Sequence, residues 1–359
     1  MADHSSIEWT DATWNPITGC AVKSPGCKRC YAMKLAGTRL RNHPSRAGLT
    51  VETKNGPVWT GEVRFNEEWL FQPLQWKTPR KIFVCAHGDL FYEKVPFGWT
   101  MRVFDVMAQA WRHTHQVLTK RPDIMLDFFQ RWADVNFFEE DLDFKGARGP
   151  AEVRAAHSSG RGKLFADMLE AMGTPPPGCA YPLFDWAGGM SHWPDVFPHI
   201  WLGCSVEDQK HADERREPMR KLAEMGWLTW VSYEPALGPI DWTGWEFLRW
   251  IVSGGESGAG ARPNHPAWHY STRDFAASNG IPYLFKQWGA WAPSSDVTDP
   301  WRFEQATLLP DGRVREWQAD FPKARLIDPE MRTMSLVGKK AAGRLLDGRE
   351  HSEFPKAAA

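Results

Sequence analysis

The sequence predicts an α/β protein built on a partial or complete parallel (β/α) barrel. Two observations predict this fold: short apolar runs recur along the chain, and amphipathic helical patterns lie between them. Several of the runs, among them KIFVC and LTWVSY, are continuously apolar, as strands covered on both faces are. Strand–helix alternation of this kind predicts right-handed βαβ units and hence a parallel sheet.

Seven apolar runs are the predicted strands, and their number favours a barrel over an open doubly wound sheet. These strands are Ala12–Thr18, Lys81–Cys85, Gln116–Thr119, His199–Cys204, Leu228–Ser232, Trp250–Ser253 and Pro282–Lys286. Five amphipathic segments between them are the predicted helices. These helices are Lys28–Leu40, Met101–Arg112, Ile124–Val135, Asp208–Met225 and Ala267–Ser278.

Two stretches interrupt this alternation. Residues 136–198 form a long insertion, for which we predict one helix near Lys163–Met172. Near the C-terminus, LLPDGRVREW carries an Asp-Gly pair between apolar runs, which predicts a hairpin. We therefore expect a barrel over residues 1–289, with a cysteine-containing loop at 20–30, and a C-terminal extension over 290–359.

Composition limits the possible classes of protein. With 359 residues, 42% of them hydrophobic and 24% charged, the chain has a globular composition. The formal net charge of -1 provides no global basic field that would indicate a nucleic-acid partner. No signal peptide and no uninterrupted apolar window of about 18 residues is evident, so we expect a cytoplasmic protein without a membrane partner. Six cysteines are too few for a disulfide scaffold, and thiols or metal ligands are expected.

Three cysteines lie close together in the segment TGCAVKSPGCKRCYA. Six residues separate Cys20 from Cys27, and two separate Cys27 from Cys30. A tight turn can bring the last two thiolates to one side, and the Ser-Pro-Gly before Cys27 supplies the turn that lets Cys20 join them. A structural zinc site normally has a closed set of four ligands, whereas three cysteines leave one iron of a cluster open for substrate or cofactor. The cysteines therefore predict an iron–sulfur cluster.

Two alternatives remain open for these cysteines. A fourth ligand, from His4, His43 or His87, would close a zinc site. The cysteines could also be unrelated residues of the core.

The residues around the cysteines are basic. Between Asp11 and Glu52 there is no acidic residue. The basic residues there are Lys23, Lys28, Arg29, Lys34, Arg39, Arg41 and Arg46. We predict that this segment binds an anion, either a nucleic-acid backbone or the cluster together with its reductant. Trp9, Trp14 and Tyr31 interleave with it as a base-stacking surface requires, although core packing explains them equally well.

Polar or ionisable groups follow six consecutive predicted strands. Catalytic residues of parallel barrels lie at the carboxyl ends of strands, so we predict that the site lies there and that these groups bind a cofactor. They are Asp89, Thr119, Lys120, Ser205, Glu207, Glu234, Gly254, Gly255, Glu256, Ser257 and Lys286. A single such group is usually a helix cap. The GGESGAGARP segment lacks the Gly-Lys-Ser/Thr of a phosphate loop, but its glycines let backbone N–H groups approach an anionic or zwitterionic ligand.

Taken together, these motifs resemble a known family. The strings WTDATWNPITGC, SPGCKRCYA, KIFVCAHGDLF, LTKRP, SVEDQ, YEPALGPI, GGESGAGARP and FKQWG resemble a phage- and prophage-associated family of unknown function that is named for its three-Cys motif. That family is in turn similar to radical S-adenosylmethionine (SAM) enzymes, and spore photoproduct lyase is among the enzymes that it resembles more closely. The resemblance covers nearly the whole chain outside residues 136–198.

The resemblance implies a barrel of the radical SAM type with a [4Fe–4S] cluster on Cys20, Cys27 and Cys30. The amino and carboxylate groups of SAM would chelate the open iron, and reductive cleavage would give a 5′-deoxyadenosyl radical that abstracts hydrogen from the substrate. An electron donor such as flavodoxin or ferredoxin is an implied partner. Cys85, Cys204 and Tyr233 could return a hydrogen atom to a product radical, as a cysteine and a tyrosine do in spore photoproduct lyase. Cys85 and Cys204 also fit the pattern of ordinary small buried residues.

Three features differ from the usual radical SAM pattern. More residues than usual separate Cys20 from Cys27, and an aromatic residue, Tyr31, follows the last cysteine instead of preceding it. The Gly-Gly-Glu that typically meets the amino group of SAM lies on an early strand in that superfamily, but here it lies late. Gly254–Ser257 are therefore expected to contact SAM in a different way or to meet the substrate.

The leading hypothesis is a radical-SAM-type enzyme that acts on a nucleic acid or nucleotide, by lesion repair or base modification. A second hypothesis is a non-catalytic nucleic-acid-binding module organised by zinc on the three cysteines and one histidine. A third is a metal-dependent hydrolase on a TIM-like barrel that uses His87, Asp89 and Glu256.

Overall fold

A computed structural model describes residues 4–136, 197–315 and 330–356 of the chain. The helix predicted near Lys163–Met172 lies outside these residues. Within them, none of the helices is long and apolar enough to cross a membrane.

The strands and the helices are each numbered in chain order. The strands are β1 Ala12–Trp14, β2 Ile17–Thr18, β3 Thr50–Thr53, β4 Gly56–Trp59, β5 Arg64–Phe65, β6 Lys81–Val84, β7 Thr114–Thr119, β8 Ile200–Val206, β9 Leu228–Tyr233, β10 Trp250–Gly254, β11 Tyr283–Gln287, β12 Trp291–Pro293, β13 Gln305–Leu308, β14 Val314–Arg315 and β15 Arg332–Leu336. The helices are α1 Tyr31–Gly37, α2 Gln72–Gln75, α3 Phe97–Gln109, α4 Pro122–Asn136, α5 Gln209–Glu224, α6 Pro266–Ser278 and α7 Lys339–Ala342.

The main sheet has seven strands in the order β1-β6-β7-β8-β9-β10-β11. The pairs β1–β6, β6–β7, β9–β10 and β10–β11 are parallel. Each member overlaps one of the seven predicted strands, so the prediction of a parallel α/β sheet is confirmed. The predicted strand Ala12–Thr18 is divided, because only Ala12–Trp14 joins this sheet and Ile17–Thr18 pairs with β5 instead. The order leaves β1 and β11 as edges, which fits a partial barrel and not a complete one.

Burial on both faces explains why the strand sequences are continuously apolar. All seven residues of β8 are buried, and so are the five residues of β10. Gly203 in β8 leaves room for the Trp230 ring of β9, because a Cβ at Gly203 would overlap its indole atoms. Indoles of Trp230 and Trp250 then pack with their ring centroids 5.0 Å apart.

The five predicted helices are confirmed, with shifted ends. Helix α6 begins at Pro266, and His265 caps it by accepting a hydrogen bond from the Ala267 backbone N–H at Nδ1. Helix α1 is shorter than predicted: it spans Tyr31–Gly37, and a separate 3₁₀ turn, Pro25–Cys27, precedes it in the chain.

A smaller antiparallel sheet has the strand order β12-β15-β13-β14. The pair β13–β14 is the predicted hairpin, with Leu308 opposite Val314. Gly312 has a φ of 93°, which explains the Asp-Gly signal of the turn because glycine adopts positive φ without a Cβ penalty. The remaining pairs, β2–β5 and β3–β4, are two-stranded.

The chain forms two compact units. Unit 1 comprises Met1–Val22, Tyr31–Leu202 and Lys221–Leu228, and unit 2 comprises Lys23–Cys30, Gly203–Arg220 and Thr229–Ala359. Strands β1, β6 and β7 belong to unit 1, whereas β10, β11 and the smaller antiparallel sheet belong to unit 2. The predicted boundary at residue 289 therefore falls inside unit 2.

Candidate functional site

In unit 1, Cys20 lies beside the chain that follows β6. The backbone N–H of Gly19 donates to the His87 carbonyl at 3.2 Å, so the cysteine segment runs along residues that leave the carboxyl end of the strand. The Arg121 guanidinium, from the carboxyl end of β7, donates from Nη1 to Cys20 Sγ at 3.9 Å. A cation at this position favours the thiolate form, which is the form that ligates metals.

Asp89 holds Arg121 in place. Its Oδ1 accepts from the Thr119 hydroxyl at 2.7 Å and from the Phe91 N–H at 3.0 Å. Its Oδ2 accepts from Arg121 Nη1 at 2.9 Å and from the Lys120 N–H at 3.3 Å. Arg121 is only 2% exposed. Burial disfavours its cation, but Asp89, Cys20 and Glu93 together outweigh burial and raise the pKa of Arg121. Asp89 and Thr119, both predicted site residues, thus act together as a support for this arginine.

Arg46 and His87 form a second polar cluster in unit 1. Arg46 was predicted to belong to a basic surface, but its side chain is 3% exposed and donates from Nη2 to His87 Nδ1 at 2.7 Å. Its cation also lies 5.7 Å from the centroid of the Trp69 ring. Burial lowers the pKa of Arg46 to about 10, and burial together with the Arg46 charge lowers the pKa of His87 to about 4. His87 is therefore neutral at pH 7, and Nδ1 is its hydrogen-bond acceptor.

In unit 2, the loop that carries Cys27 and Cys30 is attached to the carboxyl ends of two strands. The backbone N–H of Gly26 donates to Oε1 of Glu207, directly after β8, at 3.4 Å. Glu256, after β10, accepts from Arg29 Nη1 at 3.4 Å. The Cys30 N–H donates to the Cys27 carbonyl at 3.2 Å, which closes the turn between the two thiols. The CxxC loop therefore lies at the edge of the sheet where parallel α/β proteins have their active sites.

Glu207 is fully buried and ionically paired. Its Oε2 accepts from Arg215 Nη1, on helix α5, at 2.8 Å, and Arg215 is itself buried. A buried carboxylate of this kind is stable only with a partner that compensates its charge. Glu207 thus supports the Gly26 backbone and is not an exposed cofactor contact.

Glu256 is also occupied by partners from its own unit. Arg262 donates to it from Nε, Nη2 and its backbone N–H, and Arg262 Nη2 also donates to the Pro25 carbonyl at 3.1 Å. Burial alone would raise the pKa of Glu256, but the bonds and charges of Arg262 and Arg29 outweigh burial and lower it. The sequence predicted a cofactor contact here, whereas the contacts show a carboxylate that holds the CxxC loop.

Glu234 and Lys286 form an ion pair between the ends of β9 and β11. Lys286 Nζ lies 3.2 Å from Glu234 Oε1, and the Ser232 hydroxyl donates to Oε2 at 3.3 Å. Gly254 permits this approach, since a Cβ at that position would lie 2.7 Å from Glu234 Oε1. The next glycine, Gly255, donates its N–H to the Gln287 carbonyl at 2.9 Å. The predicted glycine-rich segment is thus used for close packing of backbone, while Ser257 beside it is exposed.

The three predicted hydrogen-atom donors are buried in the core. Burial raises the pKa of Cys85 to about 12, and its φ of 55° is left-handed. Cys204 lies inside the fully buried β8. The Tyr233 hydroxyl donates to the Gly238 carbonyl, and burial raises the pKa of Tyr233 well above its ordinary value. Their burial is typical of structural residues. Their role as hydrogen-atom donors stays a prediction.

The basic segment divides according to exposure. Arg29 is half-buried against Glu256, and Arg46 is buried as described above. The exposed members are Lys23, Lys28, Lys34, Arg39 and Arg41. Tyr31 is 48% exposed, its hydroxyl donates to the Ala86 carbonyl, and its ring lies edge-on to His87 at 5.9 Å. Trp9 and Trp14, in contrast, are core residues.

The donor set fits an iron–sulfur cluster in its chemistry. Cys20, Cys27 and Cys30 are half-buried thiols outside disulfides, as ligands of an accessible cluster need to be. In the parts of the chain that the structure describes, no three or more His, Cys, Asp or Glu side chains form a group that could hold a metal ion. Ligation by the three sulfurs therefore stays a prediction from their spacing and chemistry.

Three arginines support this region and were not among the predicted site residues. Arg121 stands in the LTKRP string beside Lys120, and sequence offers no means of choosing between the two cations. Arg215 lies in the charged string DERRE on helix α5, where it looks like a solvated residue. Arg262 ends GGESGAGAR, six residues after Glu256, and no sequence pattern predicts that the two side chains pair.

The fold and these contacts define a mixed α/β protein with a parallel sheet, with thiols and paired charges at the carboxyl ends of its strands. The chain belongs to the family described as a protein of unknown function (DUF5131), whose model matches residues 4–355. No curated protein matches the chain, and no solved structure matches it.

Proposed function

We propose that this protein is a radical-SAM-type iron–sulfur enzyme that acts on a nucleic acid or nucleotide. The observation that supports it most is the attachment of the Cys27–Cys30 loop to Glu207 and Glu256, at the carboxyl ends of two parallel strands. Proteins with parallel sheets carry out their chemistry at this edge. A loop with two thiols at metal-ligand spacing is thereby held where a catalytic metal centre would be useful.

The residues around the cysteines have separate roles in this proposal. Arg121 stabilises the thiolate of Cys20, while Asp89 keeps the guanidinium oriented. Arg29, Arg262 and Glu256 hold the CxxC loop in one conformation. Cys20, Cys27 and Cys30 would hold the cluster, which with SAM supplies a carbon-centred radical able to remove a hydrogen atom from the substrate.

Glu234 and Lys286 are the groups best suited to an amino-acid moiety such as that of SAM. A carboxylate and an ammonium side by side can bind an α-amino group and an α-carboxylate, respectively. Both side chains are half-buried, so a ligand would replace their mutual pairing in a partly dehydrated position.

Exposed cationic side chains near the cysteines in sequence support the proposal that the substrate is anionic. Lys34, Arg39 and Arg41 are exposed on and after helix α1, directly following the CxxC loop in sequence. Exposed cations without an acidic residue nearby in sequence are typical of surfaces that contact a phosphate backbone. Tyr31 adds an exposed ring on which a base can stack.

The hydrolase hypothesis has less support from the contacts. Asp89 accepts four hydrogen bonds, and Glu256 accepts two from the Arg262 side chain. Neither carboxylate could therefore bind a metal without losing these hydrogen bonds. The Nδ1 atom of His87 is bonded to Arg46.

The test is anaerobic purification, followed by measurement of iron, acid-labile sulfide and visible absorption. We expect a brown protein that forms 5′-deoxyadenosine from SAM and dithionite, with more product when single-stranded DNA is added. Cys20→Ser, Cys27→Ser and Cys30→Ser should each lose the cluster. The control is Cys179→Ser, at a cysteine of the 136–198 insertion that is not a predicted ligand, and it should keep the cluster. A colourless protein that contains stoichiometric zinc would contradict the proposal and favour the zinc-organised binding module.

A further inference from the structure

A cavity of about 360 Å³ lies within unit 1. It is bounded by the loop that follows β6, by the first turn of helix α3 and by the first three turns of helix α4. Four of its lining side chains are aromatic: Phe91, Tyr92, Phe97 and Phe128. Small-molecule sites typically have volumes of about 300–1,000 Å³ and mostly apolar or aromatic walls. The size and the lining both match such a site.

The aromatic walls are held in place by their own packing. The Phe128 ring centroid lies 5.7 Å from that of Phe91 and 5.0 Å from that of Phe97. Phe91, Tyr92 and Phe128 are buried, whereas Phe97 is half-buried and accessible from the cavity side. A flat ligand therefore meets preformed walls, and little ordering entropy is lost when it binds.

The charged side chains at the cavity are mainly acidic. Glu93, Asp127 and Arg131 line it, and Arg131 Nε pairs with Asp127 Oδ2 at 2.8 Å. Two carboxylates and one guanidinium do not favour a phosphate inside the cavity. Carboxylates accept hydrogen bonds, and they therefore favour a neutral ring that carries amino donors.

The cavity shares two of its residues with the network around Cys20. Glu93 Oε2 accepts from Arg121 Nε at 2.6 Å, and the Arg121 guanidinium lies 4.7 Å from the centroid of the Tyr92 ring. The same arginine contacts Cys20 Sγ. A ligand in the cavity would thus lie against side chains that orient a predicted cluster ligand.

We propose that this cavity binds a nucleobase that carries an exocyclic amino group, stacked against the Phe97 ring. The aromatic walls would pack against the flat apolar faces of the base. The carboxylates of Glu93 and Asp127 would accept hydrogen bonds from its amino group. This inference rests on the proposed function for the substrate class, since it names the part of the nucleic acid that the protein would bind.

The test uses the full-length protein and a single-stranded oligonucleotide that contains one 2-aminopurine, whose fluorescence falls on stacking. We expect saturable quenching, with adenosine or cytidine competing at least about fivefold better than thymidine. If adenosine displaces the probe as well as an unlabelled strand does, the natural ligand is a free nucleoside or nucleotide. If only strands compete at low concentration, the base belongs to a polymer.

Two variants test the cavity itself. Phe97→Leu removes the half-buried ring and should weaken binding about fivefold or more, because stacking on an aromatic ring is lost. Val95→Trp, at another half-buried wall position, should fill the cavity and abolish binding. The matched control is Trp111→Leu, since Trp111 is 68% exposed and outside the cavity. Far-UV circular dichroism verifies that each variant is folded.

Three outcomes would overturn the inference. They are an absence of quenching, equal binding by the native chain and both cavity variants, and competition by thymidine as strong as that by adenosine or cytidine. The binding assay needs no iron, so its outcome is separate from that of the cluster test. A brown, SAM-cleaving protein that does not bind the base would keep the proposed function and lose only this inference. A protein that binds the base but contains no iron would keep this inference and lose the proposed iron–sulfur function.

Discussion

Arg262 donates two side-chain hydrogen bonds to Glu256, from Nε to Oε2 at 2.8 Å and from Nη2 to Oε1 at 2.6 Å. Such a bidentate pair has one favourable geometry, because the guanidinium plane and the carboxylate plane must coincide. The carboxylate is 6% exposed, so water screens the pair poorly. The pair closes the GGESGAGAR loop and, through Arg262 and Arg29, holds the CxxC loop as well.

Glu256→Gln should lower the free energy of unfolding by about 1–3 kcal/mol, because a buried charge-assisted bond becomes a neutral one. Urea denaturation monitored by tryptophan fluorescence measures the change. Glu217→Gln is the matched control, since Glu217 pairs with Arg220 on an exposed surface of helix α5. The control should change stability by less than about 1 kcal/mol, and an equal loss in both variants would contradict the role of Glu256.

The contribution of Glu256 should depend on pH. Its pKa is lowered in the folded protein, so its stabilisation is present above the unfolded value of about 4.3 and is lost as the pH falls through the lower, folded value. The stability difference between the native chain and Glu256→Gln should thus be constant from about pH 7 to pH 5 and shrink on further acidification. Urea titrations across this range measure it. A stability difference that grows in acid would contradict a lowered pKa of Glu256 in the folded protein.

Arg121→Gln should destabilise the protein by about 3–5 kcal/mol, because the buried Asp89 would lose its cation. Thermal unfolding and urea denaturation both report the loss. Arg302→Gln serves as the control, since Arg302 pairs with Asp299 on an exposed surface. The control should stay within about 1 kcal/mol of the native chain, and a similarly small effect at Arg121 would show that Asp89 needs no buried cation.

Gly255→Ala should destabilise the protein by about 1–3 kcal/mol, because its Cβ would overlap the Trp288 carbonyl oxygen and the Asn264 side chain. Gly238→Ala is the comparison, since a Cβ there would meet only Asp208 Cβ, at 3.5 Å. Urea denaturation of the two variants should separate them clearly. Equal stability of the two would mean that the backbone around Gly255 yields at little cost.

The parallel sheet was predictable because its signals are local. Strands such as β8 and β10 are covered on both faces, and their sequences are continuously apolar for that reason. The hairpin of β13 and β14 was predictable from an Asp-Gly pair whose glycine has a positive φ. Ends of helices were less predictable, as α1 shows: the helix was predicted over Lys28–Leu40 but spans only Tyr31–Gly37.

The positions of the charged side chains were much less predictable. Arg46 belongs by sequence to a basic segment, but it is buried against His87 and Trp69. Arg29 belongs to the same segment, and it is bonded to Glu256, which lies 227 residues away along the chain. No local pattern encodes a partner at such a separation.

By itself, the sequence determined the order of strands and helices and the spacing of Cys20, Cys27 and Cys30. These properties depend on neighbouring residues, whose apolar periodicity and covalent spacing can be read directly. The tertiary structure decided which charges are paired and which stay in contact with water. Glu256 became a support for the CxxC loop and not an open ligand, because burial forced its carboxylate to find cations, and folding brought Arg262 and Arg29 to it.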